Sequence, residues 1–360
     1  MSNIPDLHPI VAGTVNPLAT PRKAEPHPPV SSAVWTSDQF TAFQLDTKCQ
    51  DFINRYLGQS LITQNDPLMK EVNRKLLGMA FVSPLLMHAS LGVAFAYDRH
   101  LNGPFRSRRS LEECYHGSQS IALFKKQLVK PIDAQERDPL WGTAAALAIL
   151  AFSSLDVCTP EESWPLKASS SPDMGWLDMI DGKMSLWHLV NPLRPDSIFR
   201  DMSTSFADMF SPLPKMGIYG IPKALATMCL LEDSSTADNN PYFNTVHTLS
   251  RLLGLQNCKV TAGQVQLFVN TINGSFRTFL EKKDPVALML LYIWYRKASR
   301  SIWWIELRAR VECPSIYTYL QKYYPESTLV EEFLCWAQNE SFPDTDDLFS
   351  FEIGNLEENL

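Results

Sequence analysis

No two of the seven cysteines in this 360-residue chain stand in C-x-x-C spacing. That removes the zinc-ribbon and thioredoxin-like readings. Cys49, Cys114, Cys158, Cys229, Cys258, Cys313 and Cys335 are far apart and odd in number. Met1–Thr20 has neither a basic n-region nor an apolar h-region. Reduced thiols in the cytosol or nucleus are therefore expected, and the sequons at Asn273 and Asn339 are expected to carry no glycan. The seven histidines form no H-E-x-x-H or H-x-H cluster, and G-x-S-x-G, Walker and G-x-G-x-x-G sequences are missing. The reading therefore names no catalytic residue, metal or cofactor. A net charge of −7 argues against binding nucleic acid through phosphates by the domain as a whole. Long apolar runs are also scarce. Gly78–Tyr97 lacks Asp, Glu, Lys and Arg over a length that could span a bilayer, but it contains Pro84 and His88. It reads as a buried core helix, so no membrane span is expected.

What the chain does have is helical periodicity. Hydrophobic residues at 45% and charged residues at 20% are ordinary for a folded domain. Residues 1–36 are rich in proline and read as a disordered tail. Residues 37–340 read as one all-α body, an irregular bundle of about ten or more helices starting near Ser37. A first helix is expected over Thr41–Leu57, with Phe43 and Leu45 in its apolar stripe. Pro84 should kink or divide the segment Pro67–Tyr97. Leu111–Leu128 sets Leu111, Cys114, Tyr115, Ile121 and Leu128 at helical spacing, and Leu140–Leu155 is apolar almost all round, as a central helix is. Further helices are expected at Met174–Val190, Pro222–Leu231, Tyr242–Leu255, Ala262–Leu280, Pro285–Lys297, Trp303–Tyr323 and Leu329–Gln338. Residues 341–360 hold six acidic residues and no basic one, interspersed with Phe342, Leu348, Phe349 and Phe351. They read as an acidic tail, with an activation segment as the functional alternative.

The most informative stretch is Asp284–Leu320. Asp284 caps a helix whose first position is Pro285, and Trp303-Trp304 opens the next. Two large aromatics at such a junction either wall a pocket or fill a core. Arg308 and Arg310 pair with Glu306 or Glu312, or reach a ligand. Two earlier blocks precede this one. Phe81–His100 contains Pro84–Ala89 (PLLMHA). His116–Leu155 contains Asp138–Trp141 (DPLW) and is followed by Ser163–Leu166 (SWPL) and Pro192–Phe199 (PLRPDSIF).

In this order the blocks resemble the regulatory domain of fungal zinc-cluster transcription factors, in the branch that looks like the sterol uptake control proteins. The likeness covers roughly residues 40–340. It implies an all-helical effector domain in the nucleus that senses an apolar, sterol-like molecule, contacts other transcription regulators and is compatible with a homodimer. Met87, His88, Phe95, Trp303 and Trp304 are the ligand-binding candidates. One departure matters: no cysteine precedes residue 40, and Arg22-Lys23 is the only basic pair there. The six thiolates of a binuclear zinc cluster are missing, so no direct DNA contact is expected from this chain. It acts through a partner, has lost its finger, or lacks an upstream segment.

Two competing readings stand beside this one. Asp344, Asp346 and Asp347 suggest a magnesium-dependent terpenoid- or lipid-processing enzyme. A ligand-free interaction scaffold fits the same composition.

Overall fold

The computed structural model describes residues 34–36, 42–44, 46–57, 67–103, 108–157, 159–256 and 260–338. Ser32–Leu360 forms one unit. The expectations for residues 1–33 and 339–360, including the proline-rich tail and Asp344, Asp346 and Asp347, lie outside the described residues.

The fold is all-α. The helices are α1 Thr47–Arg55, α2 Pro67–Ala80, α3 Pro84–Asn102, α4 Leu111–Leu128, α5 Arg137–Ser153, α6 Gly175–Val190 and α7 Ser203–Met209. They continue with α8 Lys223–Met228, α9 Phe243–Leu253, α10 Ala262–Asn270, α11 Gly274–Glu281, α12 Pro285–Ala298, α13 Trp303–Tyr323 and α14 Thr328–Gln338. Before α1, β1 Val34–Thr36 pairs antiparallel with β2 Ala42–Gln44. Phe43 therefore lies in a strand and not on the first helix, whose start is set by Asp46. The Asp46 carboxylate accepts the Cys49 N–H at 2.7 Å, an N-cap that fixes the first turn six residues later than expected.

Local chemistry explains the other boundaries. Pro84 sits at the first position of α3, where a missing N–H costs nothing, so the expected division holds. Thr261 and Gln264 form a reciprocal capping box on α10. Ala262–Leu280 is two helices, because α10 ends at Asn270 and Gly274, the first residue of α11, takes φ 47°. Asp284 caps α12, accepting the Ala287 N–H at 2.9 Å, and also accepts the Tyr242 hydroxyl at 2.9 Å.

α5 is the organising element. Ala148 and Phe152 belong to a core shared with α9, α10, α12 and α13. Leu147, Ile149 and Leu150 pack with α1 and α3. Leu140, Trp141 and Ala144 pack with Phe199 and Phe206. Three cores on three sides are the reason this helix is apolar all round. α12 is likewise buried on every side from Ala287 to Tyr295.

α4 reverses its expected orientation. Its buried residues are Glu113, His116 and Ser120, whereas Leu111 is 88% exposed and Tyr115, Ile121 and Leu128 face solvent. The inner face must meet polar groups already placed on α3. The Arg99 guanidinium grips Glu113 through two bonds of 2.9 Å, and His88 meets His116. Specific pairing outweighs apolar periodicity here.

Signature residues turn out to be fasteners. Asp138 binds Arg194 at 2.8 Å, the Ser197 hydroxyl at 2.8 Å and the Ile198 N–H at 3.0 Å, pinning the PLRPDSIF loop to the start of α5. Trp164 is buried. The Ser315 hydroxyl donates to the Ser163 carbonyl at 3.1 Å and lies 3.3 Å from the Leu166 N–H. Lys283 donates to the Pro165 and Lys167 carbonyls.

Gly263 lets α10 lie against α7. A Cβ there would fall 2.2 Å from the Ser205 carbonyl oxygen and 3.0 Å from the Asp208 Cβ. Backbone cannot rotate away as a side chain can, so Gly263→Ala should destabilise the fold by about 1–3 kcal/mol, read as a lower urea midpoint. An unchanged midpoint would mean α7 moves freely.

Candidate functional site

A cavity of about 230 Å³ lies where α2, α3, α5, α6, α7, α10, α12 and α13 converge. Its walls are mostly apolar, with Leu76, Trp141, Ile149, Phe206, Trp294 and Trp304 among them. It exists because α5 carries small residues on this side: Gly142, Ala145 and Ala146 leave room that larger residues would fill. At Gly142 a Cβ would meet Leu76 at 2.8 Å, so glycine keeps α2 and α5 close beside the opening.

Asn73, Ser90, Ser205, Gln266 and one cation, Lys183, interrupt the apolar lining. Lys183, on α6, donates from Nζ to Gln266 Oε1 at 2.9 Å. Gln266 is held in turn: its amide N–H reaches Asn270 Oδ1 at 2.9 Å, and Asn270 donates to the Met209 carbonyl at 3.1 Å. This chain of amides fixes which end of Gln266 faces the lysine. Lys183 has intermediate exposure as a residue, yet burial of its ammonium holds its pKa down to about 8. Among the described residues no carboxylate forms an ion pair with it. Trp294 also borders the space. Trp294 is 0% exposed, and its Nε1–H has no hydrogen-bond partner among the described residues.

Of the five residues expected at a ligand site, only Trp304 lines this cavity. Trp303 packs on the other side of the helix start, 5.1 Å from the Tyr97 ring and 5.9 Å from His100. Met87 is fully buried in the neighbouring core. Phe95 stacks between Phe52 at 4.3 Å and His116 at 5.6 Å. His88 belongs to a separate buried chain of polar groups. Its Nδ1 lies 2.9 Å from His116 Nδ1, and His116 Nε2 lies 3.6 Å from Cys49 Sγ. If the thiol donates to Nε2, His116 carries its proton on Nδ1 and donates it to His88 Nδ1.

That trio has the residue types of a nucleophilic site but not the electrostatics. Burial pushes the Cys49 thiol up to about 12. It pulls His88 down to about 4 and, with His88 beside it, His116 down to about 3. Thiol and imidazoles are therefore all neutral at pH 7, the opposite of an activated thiolate–imidazolium pair. Among the described residues no group of three or more His, Cys, Asp and Glu could hold a metal ion, and no helix is long and apolar enough to cross a membrane.

A wider depression of about 670 Å³ lies among α12, α13 and α14, with Arg296, Arg300 and Arg310 in its lining. Arg310 pairs with Glu306 and Arg308 with Glu312, which selects among the pairings the sequence leaves open. Neither Arg308 nor Arg310 lines the apolar cavity. No family model matches the chain, and no curated protein matches it.

Proposed function

We propose that this chain is the effector domain of a fungal-type transcription regulator, acting in the nucleus and responding to an apolar small molecule. The observation that carries this reading is the central cavity. Eight helices contribute to its wall, so a ligand that fits one packing of those helices better than another shifts the population between them. The space exceeds the roughly 150 Å³ of an apolar cavity that takes up benzene. It falls short of the roughly 300 Å³ at which drug-sized pockets begin. A rigid, tetracyclic sterol therefore enters only if helices part, and that parting would be the signal passed to a partner.

The test fuses the full chain to a heterologous DNA-binding module upstream of a reporter. Reporter output should differ from that of the module alone and change with lipid supply. Trp304→Ala should blunt the lipid dependence while leaving the circular dichroism spectrum unchanged. A lipid-independent output, with a DNA-binding regulator co-purifying, would favour the scaffold reading. An inert fusion under every condition would end the effector reading.

A further inference from the structure

The cavity is mostly apolar, Lys183 is the one cation among its lining residues, and that cation defines what the cavity should hold. The Lys183 ammonium has three N–H groups, and Gln266 takes one. Trp294 presents a buried N–H that no described residue accepts. A buried donor left unmade costs more than an average bond contributes, so each such group calls for an explanation. Gln266 cannot serve as a further donor toward the cavity through the end it turns to Lys183, because that end is its carbonyl. The neighbouring amides are engaged with each other and with Met209. The wall thus carries a cation with N–H groups beyond the one Gln266 takes, and among the described residues no carboxylate forms an ion pair with it.

We propose that the cavity takes a carboxylate-headed apolar molecule of fatty-acid type, its head group on the Lys183 ammonium and its hydrocarbon body against Trp141, Ile149 and Phe206. This rests on the reading of the chain as a ligand-binding effector domain, and it replaces a neutral sterol with an anionic, flexible amphiphile. Flexibility matters because an unbranched chain fills about 230 Å³ of irregular space that a fused ring system does not. The carboxylate supplies the countercharge that the protein withholds from Lys183. The depressed lysine pKa is a consequence of the same missing charge.

The experiment is a titration of the full chain, by calorimetry, with decanoate, decanol, methyl decanoate and decylamine, each below its micelle concentration. Decanoate should bind about tenfold or more tightly than the alcohol and the ester, since a charge-assisted bond in a desolvated site outweighs a neutral one. Decylamine should not bind. Lys183→Met keeps length and apolar volume and should erase the preference for decanoate while leaving decanol unchanged. If Lys183→Met does not fold, Lys183→Gln serves the same purpose, and the head-group series on the unaltered chain decides alone. Equal affinity for acid, alcohol and ester would overturn the proposal, as would an undiminished acid preference in the lysine variants. If no probe binds but the reporter still responds to a neutral sterol, the ligand class is wrong and the effector reading stands. If both fail, both fall.

Discussion

Arg308→Met should lower stability by about 3–5 kcal/mol, the cost of leaving one member of a buried ion pair without its partner. Arg308 and Glu312 are 4% and 3% exposed and meet at 2.5 Å. The Tyr295 hydroxyl donates to the other Glu312 oxygen at 2.5 Å, so with Arg308 gone a buried carboxylate would keep only one neutral donor. The guanidinium has a second duty. It donates to the Phe152 carbonyl at 2.7 Å and the Ala151 carbonyl at 3.3 Å. Arg99 donates to the next carbonyl, Ser153, at 3.2 Å. Two arginines from α13 and α3 thus satisfy the last carbonyls of α5, which no residue of that helix can reach, and place positive charge at its negative end. Arg308→Met removes both functions at once. The double variant Arg308→Met/Glu312→Leu should be less destabilised than the single one, because no uncompensated charge remains. Urea midpoints of the three proteins, with slopes compared, would decide it. A single variant as stable as the parent would mean that water reaches the pair.

How much of this was legible beforehand can be argued residue by residue. Helix positions were readable where a cap or a proline declared them. Asp284-Pro285 opens α12 where expected, Pro84 divides α2 from α3, and α13 runs over the expected Trp303–Tyr323. α7 was missed because SFADM is short and punctuated by polar residues, and its helicity depends on packing against α10. The inward face of α4 was misassigned because periodicity ranks residues by hydrophobicity alone. Glu113 and His116 are buried for partners 14 and 28 residues away, which no local pattern contains.

The cavity shows the same limit. Trp304 could be suspected because large aromatics at a helix junction often border space. Lys183 could not. Within GWLDMIDGKMSLWHLV it reads as one polar residue on a solvated face. It becomes a site residue only when α10 brings Gln266 against it, 83 positions away. The small residues of α5 that leave the space open were the one signal available, and they read equally well as close helix packing. The sequence motifs behind the family resemblance proved to be fasteners, Asp138 to Arg194 and Ser163 to Ser315. They locate the scaffold around the cavity and leave its ligand to the residues between them.

Acidification should reveal the buried histidine pair. His88 and His116 are 0% and 2% exposed, and burial lowers both from an unfolded value of 6.5, to about 4 and about 3. Below pH 6.5 the unfolded chain takes up protons that the folded chain refuses. Stability contributed by the pair is therefore complete above pH 6.5 and is lost as pH falls toward 4. At about 1.4 kcal/mol per unit per group, moving from pH 7 to 4.5 should cost about 3–5 kcal/mol. The upper end holds only if the two titrate independently, and a proton on His88 opposes one on His116. Asp46 and Glu112 pull the other way on His116, while the Cys49 thiol, raised to about 12, faces the pair without charge at these pH values. Carboxylates elsewhere add their own acid sensitivity, so the informative quantity is a difference between proteins. His116→Gln retains an acceptor for the Cys49 thiol and a donor for His88 Nδ1 but has no proton to gain. It should remove about half of the stability lost between pH 6.5 and 4.5, measured as urea midpoints at each pH. Superimposable pH profiles for the variant and the parent would place the acid sensitivity outside this pair.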